Sequence, residues 1–212
     1  MCIRDRFIGY GPITAAEYIN AGRKYDAFYF KKNQTARYGN YFDSSGRSLK
    51  RMFLKSPLNY KRISSGFKRK RFHPVLGYTR AHLGVDYAAK TGTPVKTVGD
   101  GVITSIGWMG SGGRTIKIKH NRRYATAYLH LRGYAKGLRK GTKVRQGQVI
   151  GYVGSSGLAT GPHLHFSFYE NGKYVNPTGR RFPAKDPLPS KQLSRFKNIA
   201  INAKNTLKPW KI

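Results

Sequence analysis

Several short stretches in the second half of the sequence alternate between apolar and polar residues, a period typical of half-buried strands. The clearest is GPHLHFSFYENGKYVNP, which spans residues 161–177. As a strand, it would place Leu164, Phe166 and Phe168 on a core face, because successive side chains point to opposite faces. The opposite face would be polar and would carry His163 and His165. The pattern therefore predicts a sheet strand that presents two imidazoles on one side.

The same reasoning predicts many short strands and few helices. Asn171-Gly172 indicates a hairpin turn at the end of the strand described above. Further predicted strands span residues 25–30, 37–42, 102–106, 115–119, 124–131 and 149–153. Predicted helices span Thr14 to Ala21, where Thr14 and Glu17 resemble a capping box, Ser48 to Leu54, and Ser190 to Lys204. Frequent turns between short strands predict a mainly β fold built on an antiparallel sheet.

Shifts in composition divide the chain into four predicted segments. Residues 7–60 form a small, truncated N-terminal α+β domain, residues 61–182 form the main β domain, and residues 183–212 form a basic C-terminal tail. A transposase adapter used in sequencing libraries would encode residues 1–6. We expect them to be an adapter scar, which implies that a native N-terminal signal or anchor is missing.

The chain is extremely basic, with 41 Lys and Arg against 8 Asp and Glu and a net charge of +33. Nucleic acid, anionic lipid and an acidic wall polymer are the natural partners of such a chain. A generally basic proteome that keeps its proteins soluble is the alternative explanation. The single cysteine, Cys2, excludes an intrachain disulfide. The sequence has no apolar run long enough to predict a transmembrane helix.

The predicted strands also sort the remaining histidines. In residues 126–131, Ala127 and Leu129 belong to the apolar set, so His130 is expected on the polar face with Thr126 and Tyr128. His120 would share the apolar face of its strand and is expected to be structural. His73 precedes a proline in a basic loop and is expected to be structural or to face substrate.

A carboxylate four residues after a histidine suggests a metal site. On a straight strand, His82 and Asp86 would be about 13 Å apart, too far to share an ion. A bend at Gly84 would bring them together. Two histidines and one carboxylate form a catalytic zinc set that leaves one position open. No glutamate is adjacent to a histidine, so the general base is expected to be His130 or His163.

Three motifs match one family in order and spacing: His82-x-x-x-Asp86, Tyr128-Leu129-His130-Leu131 and Gly161-Pro162-His163-Leu164-His165-Phe166. Over residues 60–180, with flanking matches such as Arg62 to Phe67 and Gly147 to Gly151, the chain resembles the lysostaphin/LytM-type zinc peptidases. The resemblance implies an antiparallel β peptidase domain whose metal centre lies in a groove. Residues 7–60 resemble the small domain that precedes the peptidase in Gram-negative murein endopeptidases.

The resemblance also implies roles for five residues. His82, Asp86 and His165 would bind one Zn2+ per chain, and His130 and His163 would be the catalytic pair. The substrate would be a peptide cross-link of peptidoglycan, most simply the D-alanyl–diaminopimelate bond. The protein would act in the periplasm or cell envelope of a Gram-negative bacterium.

Two other functions remain open at this point. A non-catalytic envelope scaffold that activates cell-wall amidases would lack zinc and would tolerate His130→Ala. A basic nucleic-acid-binding protein would use the charge and the 15 tyrosines, but it does not explain the His and Asp spacing. We therefore expect no specific nucleic-acid partner. The basic tail and the surface lysines are expected to hold the protein on anionic wall polymer or lipopolysaccharide. The sequence does not predict the oligomeric state.

Overall fold

The computed structural model describes residues 11–33, 35, 39–60, 62–73, 78–180 and 182–207. The predicted adapter scar, residues 1–6, lies outside these described residues. The chain divides into two compact units, and each is described separately below. Unit 1 combines the chain up to Met52 with the chain from Pro183, and unit 2 is Phe53–Phe182. None of the helices in the described ranges has the length and apolar character needed to cross a bilayer.

Unit 1 is a small antiparallel sheet covered by one helix. Its strands are β1 (Ala15–Asn20), β2 (Arg23–Phe30) and β3 (Asn40–Phe42), in the order β1-β2-β3. Helix α1 (Ser190–Thr206) confirms the predicted C-terminal helix. The segment predicted as a basic tail therefore contributes the helix of unit 1.

An aromatic core holds α1 on the sheet. The Phe196 ring is fully buried and meets the rings of Phe28, Phe30 and Phe42 edge-on, at centroid distances of 6.4, 5.5 and 5.8 Å. Edge-to-face pairs of this kind add to the free energy gained by burying the rings. Because Phe196 lies on α1 and the other three rings lie on strands, this cluster joins the two ends of the chain.

Two predicted helices of unit 1 are wrong. Residues 15–20 form strand β1, because Ala21 and Gly22 have φ of 46° and 73° and turn the chain into a hairpin with β2. Cross-strand pairing, including the register pair of Tyr18 with Tyr25, outweighs the local capping-box signal. Ser48 to Leu54 also forms no helix, and isolated bridges occur there at Ser48 and Arg51.

Unit 2 contains the remaining strands, all paired antiparallel. They are β4 (Arg62–Ser65), β5 (Lys68–His73), β6 (Tyr78–His82), β7 (Val85–Ala88), β8 (Pro94–Lys96), β9 (Gly101–Trp108), β10 (Arg114–Lys119), β11 (Tyr124–Leu129), β12 (Leu131–Tyr134), β13 (Lys143–Val144), β14 (Val149–Val153), β15 (His163–Glu170) and β16 (Lys173–Val175). The largest sheet has the order β13-β9-β10-β11-β15-β7-β4, and β16 pairs with β15. A second sheet has the order β12-β14-β8, and β5 pairs with β6.

The mainly β, antiparallel fold is confirmed, and so are the predicted strands of the main domain except that at 124–131, which ends at Leu129 before β12 begins at Leu131. Residues 102–106, 115–119 and 149–153 lie in β9, β10 and β14. The Asn171-Gly172 hairpin is confirmed, because both residues have positive φ and Glu170 pairs with Lys173. On β15, Leu164, Phe166 and Phe168 are buried as predicted.

The predicted faces of β11 are wrong. Thr126 and Tyr128 are fully buried, and the Tyr128 hydroxyl accepts a hydrogen bond of 3.0 Å from the backbone N–H of Val98. In register, these two residues oppose Phe168 and Phe166, the core residues of β15. Because opposed residues share a face, the large Tyr128 ring fills the core beside Phe166 and the smaller Ala127 lies on the opposite face.

The core of unit 1 predicts a large loss of stability for Phe196→Ala. Removing a fully buried ring should lower the free energy of unfolding by about 3–5 kcal/mol. Chemical denaturation followed by circular dichroism would measure the change. Ile201→Ala is the matched control on α1, because Ile201 is 58% exposed. A loss equal to that of the control would contradict the proposed packing of α1.

Candidate metal centre

Three neighbouring strands bring His82, Asp86 and His165 together. His82 ends β6, Asp86 lies in β7, and His165 is the direct register partner of Asp86 on β15. His165 Nδ1 lies 2.7 Å from Asp86 Oδ1, and His82 Nε2 lies 3.0 Å from Asp86 Oδ2. The two ring nitrogens are 3.2 Å apart. One ligand atom from each residue therefore points to a common centre.

The predicted bend at Gly84 is confirmed, and a close contact with β15 gives a second reason for a glycine at this position. Gly84 lies between β6 and β7 and lets the chain turn so that His82 and Asp86 face each other. A Cβ at this position would lie only 2.4 Å from His165 Nε2 and 2.8 Å from the Phe166 carbonyl oxygen. Glycine is thus required here because β15 passes too close for any side chain.

The tautomers of His82 and His165 are assigned by the hydrogen bonds of the ring nitrogens that face away from Asp86. His82 Nδ1–H donates to the Gly66 carbonyl oxygen at 2.7 Å, so its Nε2 carries a lone pair. The Ser167 hydroxyl donates to the Leu83 carbonyl at 3.0 Å, so its oxygen accepts from His165 Nε2–H at 3.1 Å. His165 Nδ1 therefore carries a lone pair as well. Supporting contacts of this type orient metal-binding histidines in proteins.

This donor set fits a cation. With neutral rings, two nitrogen lone pairs and a carboxylate face one another at 2.7–3.2 Å with no N–H between them. Burial alone raises the pKa of Asp86, but the adjacent His165 and His82 rings outweigh burial and leave this pKa lowered, so the carboxylate is charged. Two imidazole nitrogens and a carboxylate oxygen are ligands that zinc accepts. The residues present therefore fit the predicted zinc ion.

His130 reaches the same centre through an unusual backbone conformation. It connects β11 with β12 at a φ of 59°, and its backbone N–H donates to the Gly112 carbonyl at 2.9 Å. Its Nδ1–H donates to the Ser156 carbonyl at 2.8 Å, which leaves Nε2 free to accept a proton. The turn at His130 sends its side chain to the face opposite Tyr128. The predicted grouping of His130 with Thr126 and Tyr128 is therefore wrong.

His163 completes a pair with His130. Its Nδ1–H donates to the Gly161 carbonyl at 2.8 Å, and its Nε2 lies 3.9 Å from Asp86 Oδ1. The His130 and His163 rings are 4.8 Å apart between centroids. Burial is the main cause that lowers the pKa of His130, so the ring is neutral at pH 7. Two imidazoles thus flank the group formed by His82, Asp86 and His165.

The centre opens into a groove of about 620 Å³. Strands β10, β11 and β15 form its floor, and the loops before β10 and before β15 contribute Met109 and Leu158 to its walls. Tyr169 and Tyr174 line it as a contacting pair, with ring centroids 4.4 Å apart. An extended peptide would therefore have access to all four histidines of the site.

His120 lies away from this centre. His120 Nδ1–H donates to the Asp100 carbonyl at 2.8 Å, and its Nε2 lies 2.9 Å from Thr126 Oγ1, which agrees with a structural role. His73 ends β5. Sequence reasoning missed the supporting carbonyls of Gly66, Leu83 and Ser156, because any residue supplies a carbonyl and no side-chain pattern marks it.

Comparisons with known proteins find peptidases that are similar to this chain. Residues 80–177 match the description "Peptidase family M23". The chain is 40% identical over 194 residues to peptidoglycan DD-endopeptidase ShyC of Vibrio cholerae, covering 92% of this chain and 43% of that protein. It is 42% identical over 179 residues to DD-carboxypeptidase/endopeptidase Mpg of Neisseria meningitidis, covering 83% and 41%.

A solved peptidase structure is also similar to this chain. The crystal structure of a zinc-containing peptidase from Vibrio cholerae aligns with a TM-score of 0.60 at 36% identity. The alignment covers 81% of this chain and 51% of that one. The chain thus spans about two fifths to half of the length of these relatives.

The close approach at Gly84 predicts that Gly84→Ala weakens metal binding. The added methyl group would displace His165, and we expect zinc affinity to fall by about 10–100-fold, as for other changes in the support of a ligand. Competition with a chromophoric chelator would measure the affinity. Gly133→Ala is the control, since a Cβ there meets nothing within 4 Å. Unchanged zinc affinity in the Gly84 variant would contradict the described geometry.

Proposed function

Because this chain belongs to peptidase family M23, we propose that it is a metal-dependent endopeptidase that hydrolyses peptide cross-links of peptidoglycan. The observation that carries the proposal is the convergence of two ring nitrogens and a carboxylate at the floor of an open groove, beside a second pair of histidines. The substrate class rests on the names of the relatives ShyC and Mpg. A substrate with an extended peptide backbone suits a groove floored by strands.

We assign the metal-binding role to His82, Asp86 and His165. The assignment is supported by the mutual distances of their ligand atoms, which all lie within 4.8 Å of one another. Three protein ligands leave a position open, as in catalytic zinc sites. When bound, a zinc ion would polarise a peptide carbonyl and make water a better nucleophile near neutral pH.

We assign proton transfer to His130 and His163. Each ring donates Nδ1–H to a main-chain carbonyl, so each has Nε2 available on the side of the groove. The neutral His130 ring would accept the proton of the attacking water at Nε2. A histidine protonated at Nε2 would stabilise the developing oxyanion and return a proton to the leaving amine. Their short separation lets both act on one peptide bond.

The bond cleaved and the location follow from the same relatives. ShyC and Mpg bear names that include DD-endopeptidase or endopeptidase activity, and they come from Vibrio cholerae and Neisseria meningitidis. We therefore propose the D-alanyl–diaminopimelate cross-link as the substrate bond. Peptidoglycan as substrate requires a location in the cell envelope, and we propose the periplasm.

The scaffold alternative is not favoured. A protein that only activates amidases would have no need for a complete set of metal ligands. Here the three ligand residues and the two flanking histidines are all present and converge on one centre. The specific hydrogen bonds that orient each ring would also be unnecessary in a scaffold.

A digest of purified Gram-negative sacculi tests the proposal. The protein is incubated with sacculi with and without a chelator, and the released muropeptides are identified by mass spectrometry. We expect cross-linked dimers to become monomers, the activity to be lost with chelator, and zinc to restore it. Absence of conversion by zinc-loaded protein would overturn the endopeptidase proposal for this chain.

Two variants separate metal binding from proton transfer. His163→Ala should retain zinc and lose about 10²–10⁴-fold in activity, the contribution typical of a general acid or base. Asp86→Ala should lose both zinc and activity. Metal analysis of the purified variants gives the comparison. Full activity of the His163 variant would contradict its proposed role.

We further propose that α1 helps to hold the protein on the anionic wall or on lipopolysaccharide. The helix contains no acidic residue and exposes Lys191, Lys197 and Lys204. Its buried face is occupied by Phe196 and Ala200, so the exposed lysines are free of the packing that anchors the helix. The exposed ammonium groups of α1 attract phosphate and carboxylate groups of a polyanion.

The lysines of α1 can be tested without unfolding unit 1. The triple change Lys191→Gln, Lys197→Gln and Lys204→Gln should weaken binding to sacculi several-fold at low salt and leave thermal stability unchanged, because exposed charges contribute mainly through screened electrostatics. Cosedimentation over a salt series would measure the binding.

The matched control removes the same charge from unit 2. Lys136, Lys140 and Lys143 are exposed there, and their change to glutamine lowers the net charge equally. Equal weakening by both triple variants would assign the binding to bulk charge and contradict a role for α1.

A further inference from the structure

The groove contains one basic side chain. Lys117 is the single Lys or Arg among the twenty residues that line it in the described part of unit 2. Lys and Arg make up 41 of the 212 residues of the chain, so a random surface of this size would carry about four. Basic residues are thus scarce in the groove, and the position that holds one calls for a physical explanation.

Strand pairing fixes where Lys117 lies relative to the metal centre. Lys117 opposes Ala127, and Ala127 opposes Ser167, so the three residues form one row across β10, β11 and β15. Ser167 is the hydroxyl that supports His165. With strands about 4.8 Å apart, Lys117 lies roughly 10 Å from Ser167 across the floor of the groove.

The surroundings leave the Lys117 ammonium group available. Ile116 and Ile118 on the same strand are buried in the core, whereas Lys117 is exposed on the groove face. The neighbour towards the centre is Ala127, whose methyl group leaves room above it. No carboxylate within the described ranges forms an ion pair with Lys117, and the one carboxylate that lines the groove, Asp86, is held by His82 and His165.

We propose that Lys117 binds a free carboxylate of the substrate, located within about two residues of the scissile bond. The inference rests on the proposed function and names a specificity determinant for it. A lysine side chain spans roughly 6 Å from Cα to Nζ, so when it is turned along this row it brings the ammonium group within about 7 Å of Ser167, the residue that supports His165. That distance corresponds to about two residues of extended chain.

The proposed substrate contains such a group. Diaminopimelate carries a free carboxylate on the carbon that bears the amine of the cross-link, next to the D-alanyl bond. An ammonium–carboxylate pair is a charge-assisted hydrogen bond, which is stronger than a hydrogen bond between neutral groups. Lys117 therefore selects a cross-link with a free carboxylate over one in which this group is amidated.

Two soluble substrates test the proposal directly. They are cross-linked muropeptide dimers that differ only in whether the diaminopimelate carboxylate is free or amidated. The zinc-loaded wild-type protein should prefer the free carboxylate by about 10–100-fold in kcat/KM, the range expected for a hydrogen bond to a charged group. In Lys117→Met, kcat/KM for the free carboxylate should fall by this factor, and the rate on the amidated dimer should stay within about threefold.

Lys119→Met is the matched control. Lys119 lies two residues further on the same strand and face, is exposed, and does not line the groove. Its variant should keep the wild-type preference. Equal losses of Lys117→Met on both dimers would assign Lys117 a packing role and overturn the proposal, as would an unchanged preference.

Calorimetric binding of both dimers separates this inference from the proposed function. The binding is measured with His163→Ala and with the double variant that adds Lys117→Met. If the wild-type protein cleaves neither dimer, the endopeptidase proposal fails. Tighter binding of the free carboxylate, lost with Lys117→Met, would still support the carboxylate site, and equal binding of both dimers would overturn it.

Discussion

The site depends on three lone-pair-bearing atoms that the fold forces to face one another. His82 Nε2, His165 Nδ1 and the Asp86 carboxylate approach to 2.7–3.2 Å. Their outer hydrogen bonds use a main-chain carbonyl and a serine whose own proton is committed to another carbonyl. A carbonyl can only accept, so the inner nitrogens cannot become donors while the rings are neutral. A cation at this centre relieves the repulsion, and the surrounding strands are arranged to retain it.

The need to keep the Asp86 carboxylate available for a cation also explains where Lys and Arg are scarce. In a chain with a net charge of +33, any Lys or Arg near Asp86 would compete with a metal ion for the carboxylate. The groove lining is correspondingly poor in basic residues, and Lys117 lies across the sheet rather than beside the ligands. The excess of positive charge is carried elsewhere, including the exposed face of α1. The groove is thus poor in Lys and Arg although the sequence as a whole is rich in them.

Short-range patterns in the sequence predict much of the site correctly, but not all of it. The alternation in β15 predicted correctly which side chains enter the core, because that strand carries an unbroken period of two. On β11, Ala127 and Tyr128 are both compatible with burial, and only the register with Phe166 decides that the tyrosine points inward. The segment at Thr14 has a helix-capping pattern, yet pairing with β2 determines its structure. These errors share one cause: the deciding partner lies far away in sequence.

His130 interrupts the strand pattern between β11 and β12, and this interruption determines both the path of the chain and the position of the imidazole. The chain leaves the large sheet after β11 and enters the second sheet as β12, and His130 is the residue between them. A left-handed conformation costs a non-glycine residue about 1–2 kcal/mol. Hydrogen bonds to the Gly112 and Ser156 carbonyls hold His130 in that conformation. The same turn that moves the chain between sheets reverses the side-chain direction, so the imidazole joins His163 instead of following Tyr128 into the core. The strained residue thus lets one turn begin a second sheet and place an imidazole beside His163.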